Sequence, residues 1–291
     1  MSAGPMGERG LLHRRDVPPL LALAVLLIAA GAIVQLAGWN TPWMLRAHAE
    51  ARGAFASVFW SSATIVGLGW SAVILVLAAD RADGRVTALL LPAFVLTGLL
   101  THIPKFLLAS PRPAGTAILP HLHVIGEAFR GPVSMPSGHS VAAGAMAALL
   151  CAALPRSRAL AGGALLALAA ALIAWSRVMV GAHWPADVLV GSGVGLLSVG
   201  LVIAAALGPL QATYRRFALR IASRTGQRWV ALLEVLAAIG LLKERTGYPD
   251  GKAMVILLAL VAMASAAWRW HASGALRKSA RHDEAAPAEP T

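Results

Sequence analysis

Charge is what this sequence is short of. Only 13% of its 291 residues are charged, where a soluble domain carries about a quarter. Hydrophobic residues make up 58%, and the mean hydropathy is +0.69. That deficit places the chain among membrane proteins before any segment is read. Acidic residues are scarcer still, 13 against 25 lysines and arginines, for a net charge of +12. No basic stripe interleaved with aromatic residues lies outside the loops, so no nucleic-acid partner is expected. In a membrane chain such an excess belongs to basic cytoplasmic loops. The one cysteine, Cys151, sits in an apolar run, which excludes disulfides and cysteine metal sites within one chain. Its expected place is that of a small buried hydrophobe. There is no aspartate-rich metal motif and no internal repeat.

What is abundant is apolar sequence of spanning length, about 20 residues. Segments near 20–38, 58–79, 86–110, 139–154, 159–180 and 187–207 qualify. The fourth is short but rich in alanine, and is bounded by Pro136 and Pro155. Two weaker candidates follow, 229–242 and 253–270. The first of these contains Glu234 and is compatible with spanning, re-entering or lying at the surface. Arg9, Arg14 and Arg15 precede segment 20–38 as in a signal peptide. Its apolar run is longer than the roughly 7–15 residues of a signal, and no small-x-small cleavage site follows, so it reads as an uncleaved anchor. The expected fold is all-α, a polytopic membrane helix bundle. It divides into a cytoplasmic tail (1–18), a six-helix core (19–209), a basic linker with one or two accessory hydrophobic helices (210–278), and a disordered tail (279–291) of Pro and Ala among mixed charges.

Orientation follows from lysine and arginine placement. With eight crossings and a cytoplasmic N-terminus, the outer side carries nine of the 25: Arg46, Arg52, Lys105, Arg112, Arg130, Arg177, Lys243, Arg245 and Lys252. The other sixteen fall on the cytoplasmic side, as the positive-inside rule requires of a multi-pass inner-membrane protein. The stretch 39–57, with Trp39 and Trp43, reads equally as an interfacial amphipathic segment or a solvated loop. The stretch 211–228 carries five arginines and is expected to lie along anionic lipid at the cytoplasmic face.

Three clusters carry chemistry, and all fall on the outer side. The first is Lys105 with Arg112 and Pro113. The second is Pro136-Ser137-Gly138-His139, and the third is Ser176-Arg177 with His183 and Asp187. Ser137 is a good N-cap for the helix that follows, and Gly138 permits close backbone approach. Free N–H groups at that terminus make an anion site, with His139 beside it as a general acid. Arg177 ends one helix, Gly181 suits its stop, and Pro185 suits the first position of the next. His183 therefore stands in a tight turn with Asp187 four residues on, where a carboxylate can hold one ring N–H. Arg112 lies between two prolines in a stiff extended segment. Each cluster alone has an ordinary reading: a helix cap, a structural His–Asp pair, a lysine reaching the headgroups. Together they supply three cations that can surround one phosphate and stabilise a phosphoryl-transfer transition state without a divalent metal or other cofactor. Spacing alone does not decide which histidine attacks.

These clusters resemble the three signature motifs of the type 2 phosphatidic acid phosphatase superfamily, with every defining position and spacing intact. The likeness spans roughly 20–207, and it assigns the later region no role. It implies that His183 is the nucleophile forming a phosphohistidine, Asp187 its orienter and His139 the acid. It implies further that Lys105, Arg112, Ser137, Gly138 and Arg177 hold the phosphate. The expected activity is metal-independent hydrolysis of a membrane lipid phosphate or diphosphate at the outer face. Undecaprenyl diphosphate, phosphatidylglycerol phosphate, phosphatidate and lipid A phosphates all present similar groups to such a site. A lipid phosphotransferase of the same fold is the alternative within the family. A non-catalytic lipid-binding or transport protein would show broken motifs, and none is broken. A soluble haloperoxidase conflicts with the spans.

Overall fold

The structure, a computed structural model, describes residues 13–50, 54–80, 83–107 and 110–284. Those residues hold eleven α-helices and no strand: α1 (Val17–Leu36), α2 (Asn40–Glu50), α3 (Ala54–Val66), α4 (Gly69–Ala79), α5 (Arg85–Leu107), α6 (Gly138–Ala153), α7 (Ala159–Met179), α8 (Pro185–Leu207), α9 (Gln211–Ala222), α10 (Arg224–Lys243) and α11 (Lys252–Glu284). The all-α bundle read from the sequence is the observed architecture. Helices α1, α5, α7, α8, α10 and α11 are each long and apolar enough to cross a membrane. The chain is thus a multi-pass membrane protein by the length and composition of its helices. Helix α6, at 16 residues, is the short alanine-rich element.

Four expected segments take a different or narrower form. Segment 58–79 is two helices, α3 and α4, bent by 67°. The break falls at Gly67-Leu68, where Leu68 turns extended (φ −65°, ψ 148°) to cap α4. A Cβ on Gly67 would lie 2.8 Å from the Ile173 side chain and 3.3 Å from the Cβ of His139, so the break lets backbone approach the site closely. Segment 229–242 belongs to a 20-residue helix, α10. Its Glu234 does not weaken it, because the buried carboxylate pairs with Arg269 Nε at 3.1 Å and accepts from Ser265 at 2.6 Å, both on α11. Helix α11 runs to Glu284, so the described part of the tail from Ser279 belongs to it, while 285–291 lie outside the described residues, as do 1–12 with Arg9, 51–53 with Arg52, 81–82 and 108–109. Of the stretch 39–57, the described residues 40–50 form α2 and 54–57 begin α3, with Trp39 and Trp43 exposed and stacked at 5.8 Å.

Helix α8 is the hub, packed most closely on α1 and α6. Glycine makes this possible. A Cβ on Gly195 would sit 2.2 Å from Val141 O of α6, and one on Gly193 would sit 2.6 Å from Ala24 O of α1. Small residues let helix backbones meet where no hydrophobic force drives them together. The two ends of the bundle carry different chemistry. At one end Arg14 donates to Leu207 O (2.9 Å), Arg156 pairs with Asp16 (2.6 Å), and Arg269 donates to Asp80 O (2.7 Å). The opposite end gathers the three clusters.

Candidate active site

The site is built where α5, α6, α7 and α8 end or begin at that opposite face. Ser137 caps α6: its side chain accepts from Ser140 N, and its backbone N–H donates to Asp187 O at 3.1 Å. Thus the second and third clusters are tied by main chain. Helix α7 stops after Met179, and Gly181 takes the left-handed conformation (φ 79°) that a side chain would oppose. Pro185 opens α8, whose Ala186 N–H is capped by Asn40 Oδ1 at 2.9 Å. The turn between them holds His183, which is 2% exposed.

His183 and Asp187 meet as the spacing required. Nδ1 of His183 lies 3.2 Å from Asp187 Oδ2. The same oxygen accepts the Trp184 N–H at 3.0 Å and the hydroxyl of Ser134. Ser134 Oγ is also 3.2 Å from His183 Nδ1. A carboxylate on Nδ1 holds the proton there and leaves Nε2 with its lone pair, the tautomer a nucleophile needs. Burial, then the charges of Arg177, Arg112 and Lys105, hold this imidazole well below its ordinary pKa. It is therefore neutral at pH 7.

The cations surround it. Arg112 sits in the extended conformation expected between its prolines (φ −69°, ψ 154°) and donates to Ala182 O at 3.3 Å, one residue before His183. Its guanidinium lies 5.6 Å from the Phe129 ring centre. Burial and the neighbouring Arg177 charge lower its pKa. Lys105, in the last turn of α5, and His139 both lie within electrostatic range of Arg112 and Arg177. Arg177 is buried and donates from Nη1 to Thr64 Oγ1 (2.7 Å) and to Tyr248 OH (2.9 Å). All eight residues singled out in the sequence are thus in one place, while the Arg177 Nε and His139 Nε2 are buried without a hydrogen-bond partner among the described residues.

Gly138 leaves its backbone open to approach at the start of α6. A Cβ there would meet nothing within 4 Å, so no neighbouring backbone approaches it; instead it borders open space. That space is a groove of about 570 Å³ between α4, α5 and α6. It begins at Gly138 and His139 and continues along apolar residues such as Phe94, Ala145 and Leu90. Polar groups at one end and a hydrocarbon-like wall beyond suit an amphiphile whose headgroup reaches His139.

Sequence reasoning missed Ser134, Thr64 and Tyr248. Ser134 and Thr64 are 0% exposed and Tyr248 is 3%. Each is brought in by an element distant in the chain. Trp184, also unremarked, donates its indole N–H to Pro111 O at 2.8 Å and so fastens the Arg112 segment to the His183 turn.

The family model described as PAP2 superfamily matches residues 86–208. A crystal structure of Aquifex aeolicus LpxE is similar at 28% identity, over 57% of this chain and 94% of that one, with a TM-score of 0.44. No curated protein matches the chain.

Proposed function

We propose that the chain, whose residues 86–208 match the family model of the PAP2 superfamily, is a phosphatase of membrane lipid phosphates or diphosphates, working through a phosphohistidine at the extracytoplasmic face. The observation that carries the mechanism is the pairing of His183 Nδ1 with Asp187 Oδ2 at 3.2 Å, which leaves Nε2 free. In the first step Nε2 attacks phosphorus, a P–N bond forms, and the bond from phosphorus to the lipid oxygen breaks. His139, protonated once the bound phosphate offsets the surrounding cations, gives its proton to that leaving oxygen. Asp187 stabilises the positive charge that develops on the His183 ring, as the third member of a triad does. In the second step water attacks phosphorus, His139 takes a proton from the water, and the P–N bond breaks to release inorganic phosphate. Lys105, Arg112 and Arg177 offset the charge on the non-bridging oxygens in both steps. Substrate entry is lateral, with the acyl chain along the groove between α4, α5 and α6. The extracytoplasmic assignment is supported by the lysine and arginine asymmetry.

Purified protein in detergent, given a lipid phosphate in mixed micelles with excess chelator, should release inorganic phosphate. The phosphoenzyme trapped by a rapid alkaline or detergent quench, which preserves the acid-labile P–N bond, should be missing from His183→Ala. Activity that disappears with chelator and returns only with a divalent metal would overturn the metal-independent mechanism. Label retained by His183→Ala at the wild-type level would overturn the nucleophile.

A further inference from the structure

We propose that Tyr248, from the loop joining the two accessory helices α10 and α11, is a working part of the phosphate pocket. It sets the Arg177 guanidinium and offers its hydroxyl to the bound phosphate. This rests on the phosphatase reading above but lies outside the region that carries it, since Tyr248 is forty residues beyond position 208.

Three observations converge. First, the contact is specific. Arg177 Nη1 donates to Tyr248 OH at 2.9 Å, and the guanidinium carbon lies 5.4 Å from the ring centre. A phenol accepts through its oxygen and keeps one hydrogen to donate. With the oxygen occupied by Arg177, that hydrogen is available to an oxyanion drawn in by the same arginine. Second, the loop is held rigidly against the core. Glu127 N donates to Gly247 O at 2.9 Å, and Gly126 and Gly247 both take positive φ (74° and 75°). A Cβ on Gly126 would come within 2.3 Å of Gly247 O and 2.7 Å of the Tyr248 ring. A Cβ on Gly251 would lie 2.2 Å from Ile65 Cδ1 of α3. Such close seating leaves no slack in where the phenol stands. Third, Tyr248 joins the two arginines. Its ring centre is 6.1 Å from that of Phe129, over which Arg112 lies. Arginine and aromatic thus alternate along one wall, Arg112, Phe129, Tyr248, Arg177, and aromatic faces favour cations most where water is excluded. The accessory helices hence do more than cover the core: the chain beyond 208 supplies a side chain to the pocket.

Tyr248→Phe in the full chain is the test, because it keeps the ring and removes only the hydroxyl. Three readouts apply: kcat/KM on a soluble aryl phosphate, inhibition by inorganic phosphate and orthovanadate, and thermal unfolding in detergent. The expected result is a loss of about tenfold or more in kcat/KM and a matching weakening of oxyanion inhibition, with unfolding little changed, as for a hydrogen bond to a charged group. In an Arg177→Lys background the same substitution should cost much less, because the hydroxyl acts through and beside Arg177. Unchanged kinetics and inhibition in Tyr248→Phe would overturn the role of Tyr248 while wild-type activity leaves the phosphatase reading standing. A loss of the same size in both backgrounds would also overturn it. A wild type that hydrolyses no phosphate ester, yet binds oxyanion less well as Tyr248→Phe, would sink the phosphatase reading and spare the pocket.

Discussion

Ser134 donates its hydroxyl hydrogen to Asp187 Oδ2, the oxygen that also faces His183 Nδ1. Asp187 is 0% exposed, and its other oxygen has no partner among the described residues. The carboxylate therefore depends on one crowded oxygen for its orientation. Removing the Ser134 hydroxyl leaves the Trp184 N–H and His183 in place. Ser134→Ala should lower kcat about tenfold with KM nearly unchanged, the loss of one hydrogen bond to a charged group. Asp187→Asn should cost far more, on the order of 10³-fold. The amide can present an N–H to Nδ1, which then must accept, and the proton moves to the attacking nitrogen. Steady-state kinetics on both variants checks the order; equal losses would show that Asp187 does not set the tautomer.

The pH profile follows from the cations around His183. Burial and the charges of Arg177, Arg112 and Lys105 push its pKa down, so Nε2 stays unprotonated well below the ordinary imidazole range. The acid limb of kcat/KM belongs to the free enzyme and to the substrate, whose own second ionisation lies near pH 6. Comparing two enzymes on one substrate removes the substrate's share. Removing a nearby positive charge raises the pKa of a cationic acid, so Arg112→Ala should move the enzyme's limb upward. A limb that stays still, or moves down, would show that a different group titrates.

A second ionisable group bears on stability alone. Asp80, at the other end of the bundle, is 1% exposed, and burial raises its pKa to about 6, although the N–H and hydroxyl of Thr87 work in the opposite direction. A raised folded pKa means that the folded state keeps its proton while the unfolded chain has lost it. The contribution is fully present below about pH 4 and is lost as pH rises through about 6. Asp80→Asn mimics the protonated form. Its unfolding temperature should match the wild type near pH 4 and exceed it by several degrees at pH 7.5, given a cost of at most about 3 kcal/mol at two units. Scans in detergent at both values test this, and a gap that shrinks as pH rises would refute it.

Much of the site was legible because its backbone signals are local. Ser137 before a helix, Gly181 at the stop and Pro185 at the next start each do in the structure what the sequence implies. Those three punctuate α6, α7 and α8, and the functional side chains sit within a turn of them. What was not legible comes from long range. Thr64 reaches Arg177 across 113 positions, Tyr248 across 71, and Ser134 reaches Asp187 across 53. A threonine within an apolar helix, or a serine in a loop, has no periodicity to mark it. The bend at Gly67-Leu68 was hidden for a related reason: the segment's hydropathy is continuous through it, and the cause is the close approach of His139 and Ile173. The glycines of α8 were silent as well, since which helix each one faces is fixed only by packing.

The groove offers a separation of headgroup from tail. Gly98 lies in α5 on the groove wall, and a Cβ there meets nothing within 4 Å. Gly98→Leu can therefore be accommodated without a clash, and replacing a helix-interior glycine removes a helix-propensity cost of roughly 0.5–1 kcal/mol. Folding should be unharmed or slightly improved. The new side chain would occupy volume that an acyl chain needs, in a groove of about 570 Å³. A soluble aryl phosphate places nothing there, because in the proposed mechanism its phosphate end is served by Lys105, Arg112 and Arg177. KM for a long-chain lipid phosphate should accordingly rise about tenfold or more, while kcat/KM for the aryl phosphate stays within about twofold, since a few buried methylenes at about 0.8 kcal/mol each suffice for that factor. Parallel kinetics on the two substrates with one preparation decides the matter. If both fall together, Gly98→Leu has disturbed His139 through α5 and α6, and the groove has no claim to the tail. If neither changes, the tail runs elsewhere, and the apolar space beside α4 and α5 is ordinary lipid-facing surface.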